Sequence, residues 1–144
     1  MFSLYRVFAA ALLLAVLPAL AVAESEQRTQ RTAFKDGRAT IEARIKGYQY
    51  VDYVFPAGAG ESVKVTLKTD KTSNYFNLLA PGETEVAFFV GSTSGNSYEG
   101  AAPTSGDYTV RVYLMRNSAR RGELAKYTLT LSLGQTGTTH EKRS

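Results

Sequence analysis

From Ala39 to Leu133, apolar and polar residues alternate in almost every segment. A chain patterned with period two can bury its apolar half only as strands. Ala39, Ile41, Ala43 and Ile45 alternate with Thr40, Glu42, Arg44 and Lys46. Val51, Tyr53 and Phe55 form a second run, stopped by Pro56 and a Gly58–Ala59–Gly60 turn; Val63, Val65 and Leu67 form a third. Tyr108, Val110, Val112 and Leu114 share one parity, and Tyr127, Leu129, Leu131 and Leu133 repeat it. Tyr75 to Leu79 and Glu85 to Val90, separated by Ala80–Pro81–Gly82, read as buried strands, although length alone does not distinguish such runs from a helical turn. Tyr98 to Ala101 offers one more strand. No segment of this region carries an apolar stripe of helical period. Short strands at this spacing, with Gly and Pro between them, imply an all-β sandwich or barrel of about seven to eight strands.

The ends read differently. Arg6 is the only charge in the first 23 residues; Phe8 to Leu17 is unbroken apolar, Pro18 ends the run, and Ala21–Val22–Ala23 precedes the polar Glu24–Ser25–Glu26. This is the layout of a cleaved signal peptide over residues 1–23, and its core is shorter than the roughly 20 residues a spanning helix needs. Residues 24–37 are polar apart from Ala33 and Phe34 and are expected to form a flexible arm; residues 134–144 are expected to fray. The folded domain is therefore expected over residues 38–133. The chain contains no cysteine, which leaves neither a disulfide nor a lipid-attachment site, and it has no Asn-x-Ser/Thr acceptor. A soluble periplasmic product is the expectation, with no membrane contact after cleavage. Formal charge is +4, and +3 once Arg6 is removed; that is too little to indicate nucleic acid but favours an acidic partner.

The catalytic inventory is thin. Without cysteine there is no thiol nucleophile, and the single histidine, His140, lies in the polar tail where nothing fixes it against a substrate. Asp52, Glu61, Asp70 and Glu85 are the candidates for a glycosidase-type carboxylate pair. Each reads more simply as a strand or turn residue. Scattered acids give no metal-ligand spacing, and no phosphate loop is present, so no enzyme activity, metal or other cofactor is expected.

Two features suit binding. A loop reading Met115–Arg116–Asn117–Ser118–Ala119–Arg120–Arg121–Gly122 follows Arg111, and the region from Tyr108 to Gly122 holds four arginines and no acid. A guanidinium fork matches carboxylates in pairs. The plain alternative is a solvated basic turn. Tyr48 and Tyr50 follow Gly47 with parity opposite to the core residues Val51 and Tyr53, so one or both rings are exposed or cover a sheet face. Tyrosine beside arginine is a common interface pairing. A third motif, Ser105–Gly106–Asp107–Tyr108, reads as a tight turn whose tyrosine hydroxyl caps a neighbouring loop.

Together these blocks resemble the periplasmic inhibitors of goose-type (g-type) lysozyme. The resemblance runs from about Phe34 to Leu133 and is carried by Ile45–Lys46–Gly47–Tyr48–Gln49–Tyr50, by Pro103–Thr104–Ser105–Gly106–Asp107–Tyr108, by Arg116–Asn117–Ser118–Ala119–Arg120 and by Lys126–Tyr127. Asn74 to Glu99 departs most from the pattern. The resemblance implies an antiparallel β-sandwich and a bacterial defence protein whose partner is a goose-type, peptidoglycan-degrading lysozyme. It implies that a tyrosine of the Gly-Tyr-x-Tyr segment, Tyr48 or Tyr50, acts with Arg116 and Arg120 as the inhibitory residues. The partner-binding set is then Tyr48, Tyr50, Arg116, Asn117, Arg120 and Arg121. The alternative is a carbohydrate- or peptidoglycan-binding sandwich, which needs a flat aromatic surface and has no use for Arg120. Placement separates the two: an inhibitor needs the tyrosines and the arginine loop at one end of the sandwich.

Overall fold

The structure, a computed structural model, describes residues 26–134. The expected signal peptide and the tail from residue 135 onward, His140 included, lie outside the described residues. The elements run β1 (Gln27–Arg31), β2 (Arg38–Lys46), β3 (Tyr50–Ala57), β4 (Ser62–Thr69), β5 (Asn74–Leu79), β6 (Ala87–Val90), α1 (Gly91–Ser94), β7 (Ser97–Ala101), β8 (Gly106–Leu114), α2 (Arg116–Arg120) and β9 (Leu124–Gly134). A five-stranded sheet, β1-β3-β8-β5-β6, faces a four-stranded sheet, β2-β9-β4-β7. All pairings are antiparallel except β1 with β3.

Period two decides what lies between the sheets. Tyr53 and Phe55 from β3, Val65 from β4, Phe76 and Leu78 from β5, Val110 and Val112 from β8, and Leu129 and Leu131 from β9 are all buried. The alternate residues of each strand face outward. Two hydroxyls inside the sandwich satisfy each other: Tyr53 Oη and Tyr127 Oη are 2.6 Å apart, joining β3 to β9. Burial, reinforced by this contact, pushes the Tyr127 phenol pKa up. Tyr108 is also buried, and its hydroxyl donates to Thr104 O at 2.7 Å and accepts from Thr104 N at 3.2 Å, fastening the turn that leads into β8.

The expected flexible arm needs correction. Residues 27–31 form β1, in parallel register from Gln27↔Tyr50 to Arg31↔Val54. Thr32 N donates to Val54 O, Tyr50 N donates to Glu26 O, and Phe34 packs edge-on against Phe55 with ring centroids 6.3 Å apart. All five β1 residues are exposed, so the strand leaves no apolar signature in the sequence. Its stability comes from backbone pairing with the edge of β3, and from a two-bonded ion pair between Arg31 and Asp107 that depresses the Asp107 carboxyl pKa. The folded domain therefore starts well before residue 38. A second correction concerns the loop at 115–122, which contains the helical turn α2. Too short to show an apolar stripe, α2 could not be read from periodicity.

One glycine is fixed by space. Gly91 opens α1 directly over β5, and a Cβ there would lie 2.3 Å from Phe76 O and 3.2 Å from Phe76 N. The obstacle is backbone. Gly91→Ala is expected to cost about 1–3 kcal/mol, measured by urea unfolding. Gly58→Ala, where the Cβ meets only Glu61 Oε2 at 3.6 Å, should stay within about 0.5 kcal/mol of the parent.

Candidate partner-binding end of the sandwich

The β2–β3 turn and the β8–α2–β9 connection meet at one end of the sandwich. Register requires it: Lys46 at the end of β2 pairs with Leu124 at the start of β9, and Val51 near the start of β3 pairs with Val112 near the end of β8. The turns also touch directly. Gly47 N donates to Glu123 O at 2.9 Å. Gly47 has φ +60°, and a Cβ there would lie 3.5 Å from Ala119 O, so this left-handed residue sits flush against α2.

The sequence of α2 sorts itself by burial. Ser118 and Ala119 point inward and are buried, while Arg116, Asn117 and Arg120 are exposed. Arg116 and Arg120 are four residues apart, which on a helical turn places them on one face, about 5–6 Å apart at Cβ. Glu123 N donates to Ser118 O at 3.1 Å, and Met115 N donates to Ser73 O at 2.9 Å, so both ends of the turn are anchored by backbone. Among the described residues neither Arg116 nor Arg120 has an ion pair. Arg121 does: its Nη2 lies 3.3 Å from Glu123 Oε2. The Ser118 hydroxyl and then Arg121 hold the Glu123 carboxyl pKa below its usual range.

The two tyrosines are separated by environment. Tyr48 is 50% exposed at the tip of the turn. Tyr50 is half-buried on the outer face of the five-stranded sheet, where the Arg111 guanidinium lies 5.0 Å from its ring centroid. Arg111 is not part of a free basic loop. Its Nε and Nη2 donate to Asp52 Oδ1 at 2.8 Å and Oδ2 at 3.0 Å, and its Nη1 donates to Thr84 O at 3.2 Å. Gln27 Nε2 also donates to Asp52 Oδ2. Asp52 lies on the polar side of β3 as its parity requires, yet this cover buries it.

Two of the other candidate carboxylates hold backbone groups. Glu61 Oε2 accepts from Gly58 N and Asp70 Oδ1 accepts from Lys126 N. Among the described residues no group of three His, Cys, Asp or Glu side chains is placed to hold a metal ion. No helix among them is long and apolar enough to cross a membrane.

Two exposed apolar residues, Met115 (41%) and Leu124 (38%), extend this end beyond the residues singled out from the sequence. Parity would have found them. Met115 follows the buried Leu114, and Leu124 precedes the buried Ala125.

No protein-family model matches the chain. A curated relative from Escherichia coli K12, an inhibitor of g-type lysozyme, is 30% identical over 128 residues, covering 86% of this chain and 93% of the relative. The crystal structure of Aeromonas hydrophila PliG, a periplasmic lysozyme inhibitor of g-type lysozyme, superposes with a TM-score of 0.68 at 31% identity, covering 74% of this chain and 96% of that one. A PliG mutant from Escherichia coli superposes with a TM-score of 0.56 at 27% identity, covering 76% and 99%.

Proposed function

Because the chain belongs to the family of periplasmic inhibitors of g-type lysozyme, we propose that it is itself a periplasmic, non-enzymatic inhibitor of a goose-type lysozyme, acting by inserting the α2 arginines beside Tyr48 into the acidic active-site cleft. The observation that supports this reading is the contact between Gly47 and Glu123, which sets the turn bearing the exposed Tyr48 against α2, whose Arg116 and Arg120 make no ion pair among the described residues.

The chemistry follows from the target. A lysozyme cleft holds carboxyl groups that act on an oxocarbenium-like transition state. Guanidinium forks entering that cleft pair with these carboxylates and exclude the glycan. Arg116 and Arg120 project from one face of a turn anchored at both ends, so little order has to be imposed on binding. Tyr48, Met115 and Leu124 add apolar surface that displaces water around the charged pairs. Asn117 contributes a hydrogen-bonding rim. Arg121, already beside Glu123, contributes less. Tyr50 supports the turn from the sheet face and is a flanking contact.

A saccharide-binding sandwich is supported less well. Tyr75 does stand opposite Tyr113 on the outer face of the five-stranded sheet. Both are half-buried, however, and the Tyr113 hydroxyl donates to Asn77 Oδ1 at 3.0 Å. The Tyr50 ring lies against Arg111, so Tyr50 and Tyr113 both have partners within the sheet.

The test is peptidoglycan lysis by a goose-type lysozyme with the purified exported protein titrated in, and a hen-type lysozyme run in parallel. Stoichiometric loss of goose-type activity is the expected result. Full activity at micromolar concentrations of folded protein would sink the proposal.

A further inference from the structure

The outer face of the four-stranded sheet gathers basic side chains over two shallow troughs. Strand order places β9 between β2 and β4. Beyond Lys126, the outward residues of β9 are short hydroxyls, Thr128, Thr130 and Ser132, and its neighbours carry several long basic side chains among polar ones. Arg38 and Lys64 flank Ser132 on either side, Thr40 and Thr66 flank Thr130, and Glu42 and Lys68 flank Thr128. Adjacent strands are about 4.8 Å apart, so the flanking side chains rise about 10 Å apart over a hydroxyl floor. The surface follows this pattern. A trough of about 690 Å³ between Arg44, Lys68 and Lys126 is joined at Lys68 to a second, of about 200 Å³, lined by Arg38, Lys64, Thr66, Lys68, Thr130 and Ser132.

Basic groups outnumber acids on this face. Arg38, Arg44, Lys46, Lys64, Lys68 and Lys126 make no ion pair among the described residues. Three acids accompany them. Glu42 lies in the larger trough, Glu99 pairs across from Lys64, and Asp70 is turned to the Lys126 backbone N–H. Arg44 sits directly opposite Lys126, a like-charge cross-strand pair that works against the sheet.

We propose that this face binds an acidic glycan, the peptidoglycan strand with its stem-peptide carboxylates, laid along β9. Lysine and arginine on the flanks meet the carboxylates, and the Thr/Ser floor hydrogen-bonds the sugar hydroxyls and amides. Charge complementarity identifies the occupant, and the 11 residues of β9 give the strip the length that a polymer segment needs. The site differs from the arginine turn and would hold the protein on the polymer that a lysozyme attacks. It rests on the proposed function only for the compartment in which the glycan is met.

The test is co-sedimentation of the purified exported protein with insoluble peptidoglycan sacculi, native or with carboxylates amidated. Native sacculi should retain the protein, and retention should fall with added salt and with amidation. The variant Lys64→Gln/Lys68→Gln, altered only at exposed positions, should lose on the order of tenfold in affinity while inhibiting a goose-type lysozyme as the parent does. Arg116→Ala/Arg120→Ala should sediment as the parent does even if inhibition is lost. No retention of the parent, equal retention by amidated sacculi, or an undiminished Lys64→Gln/Lys68→Gln variant with its unfolding midpoint intact would each overturn the proposal. Loss confined to the arginine variant would also overturn it, by placing any glycan contact at the inhibitory end.

Discussion

Truncation of Arg120 to alanine is expected to weaken inhibition of a goose-type lysozyme by about 30-fold to several thousand-fold, read as the inhibition constant in a lysis titration. The range corresponds to roughly 2–5 kcal/mol, the cost of leaving a desolvated carboxylate in the cleft without its partner. Arg116→Ala belongs to the same range, because the four-residue spacing on α2 brings both guanidinium groups to one face. Two groups meeting one acidic cluster are coupled, so the double variant should lose less than the sum of the single losses. Arg120→Lys keeps the charge but not the planar fork, and should fall between parent and alanine. Arg121→Ala should change little, about fivefold or less, because that side chain is exposed and already lies beside Glu123. Losses of equal size at Arg120 and Arg121 would contradict the assignment of the contacting face.

The largest expected stability effect comes from Asp52→Ala. This substitution leaves Arg111 beneath Thr84 and against Tyr50 with no carboxylate, and it removes an acceptor for Gln27. Breaking a buried pair on one side costs about 3–5 kcal/mol. The Arg111 side chain retains 24% exposure and can partly swing to water, so the lower end, about 3 kcal/mol, is expected. For a domain of about 100 residues that lowers the melting temperature by roughly 12–20 °C. Asp52→Ala/Arg111→Met should recover part of the loss, since it removes the orphaned charge and keeps an apolar stem over the sheet. A melting temperature within about 3 °C of the parent for Asp52→Ala would show that the pair adds no net stability. The same variant should also release the start of β1, visible as faster amide exchange at residues 27–31.

Much of the architecture was legible because strand periodicity is a local property. Alternation from Ala39 to Ile45, from Tyr108 to Leu114 and from Tyr127 to Leu133 specifies which side chains enter the sandwich before any partner strand is known. The same parity marked Tyr48 and Tyr50 as outward, and the arginines of the 116–121 loop stood out by composition alone. Long-range pairing was not legible. β1 buries no side chain and exists only because β3 offers an edge. Arg111 counted with the three loop arginines as one basic region until β8 was laid against β3, where Asp52 takes it out of the free set. Gly47 could be recognised as a turn residue, but its bond to Glu123 arises from two chain segments more than seventy residues apart. Likewise, the outward lysines and arginines of β2, β4 and β9 read singly as solvated faces. Strand order gathers them around one hydroxyl strip. Local sequence thus determined which atoms leave water, because burial follows from periodicity. The tertiary structure decided which charges remain unpaired and which residues share an end, because both depend on neighbours that the chain brings together only on folding.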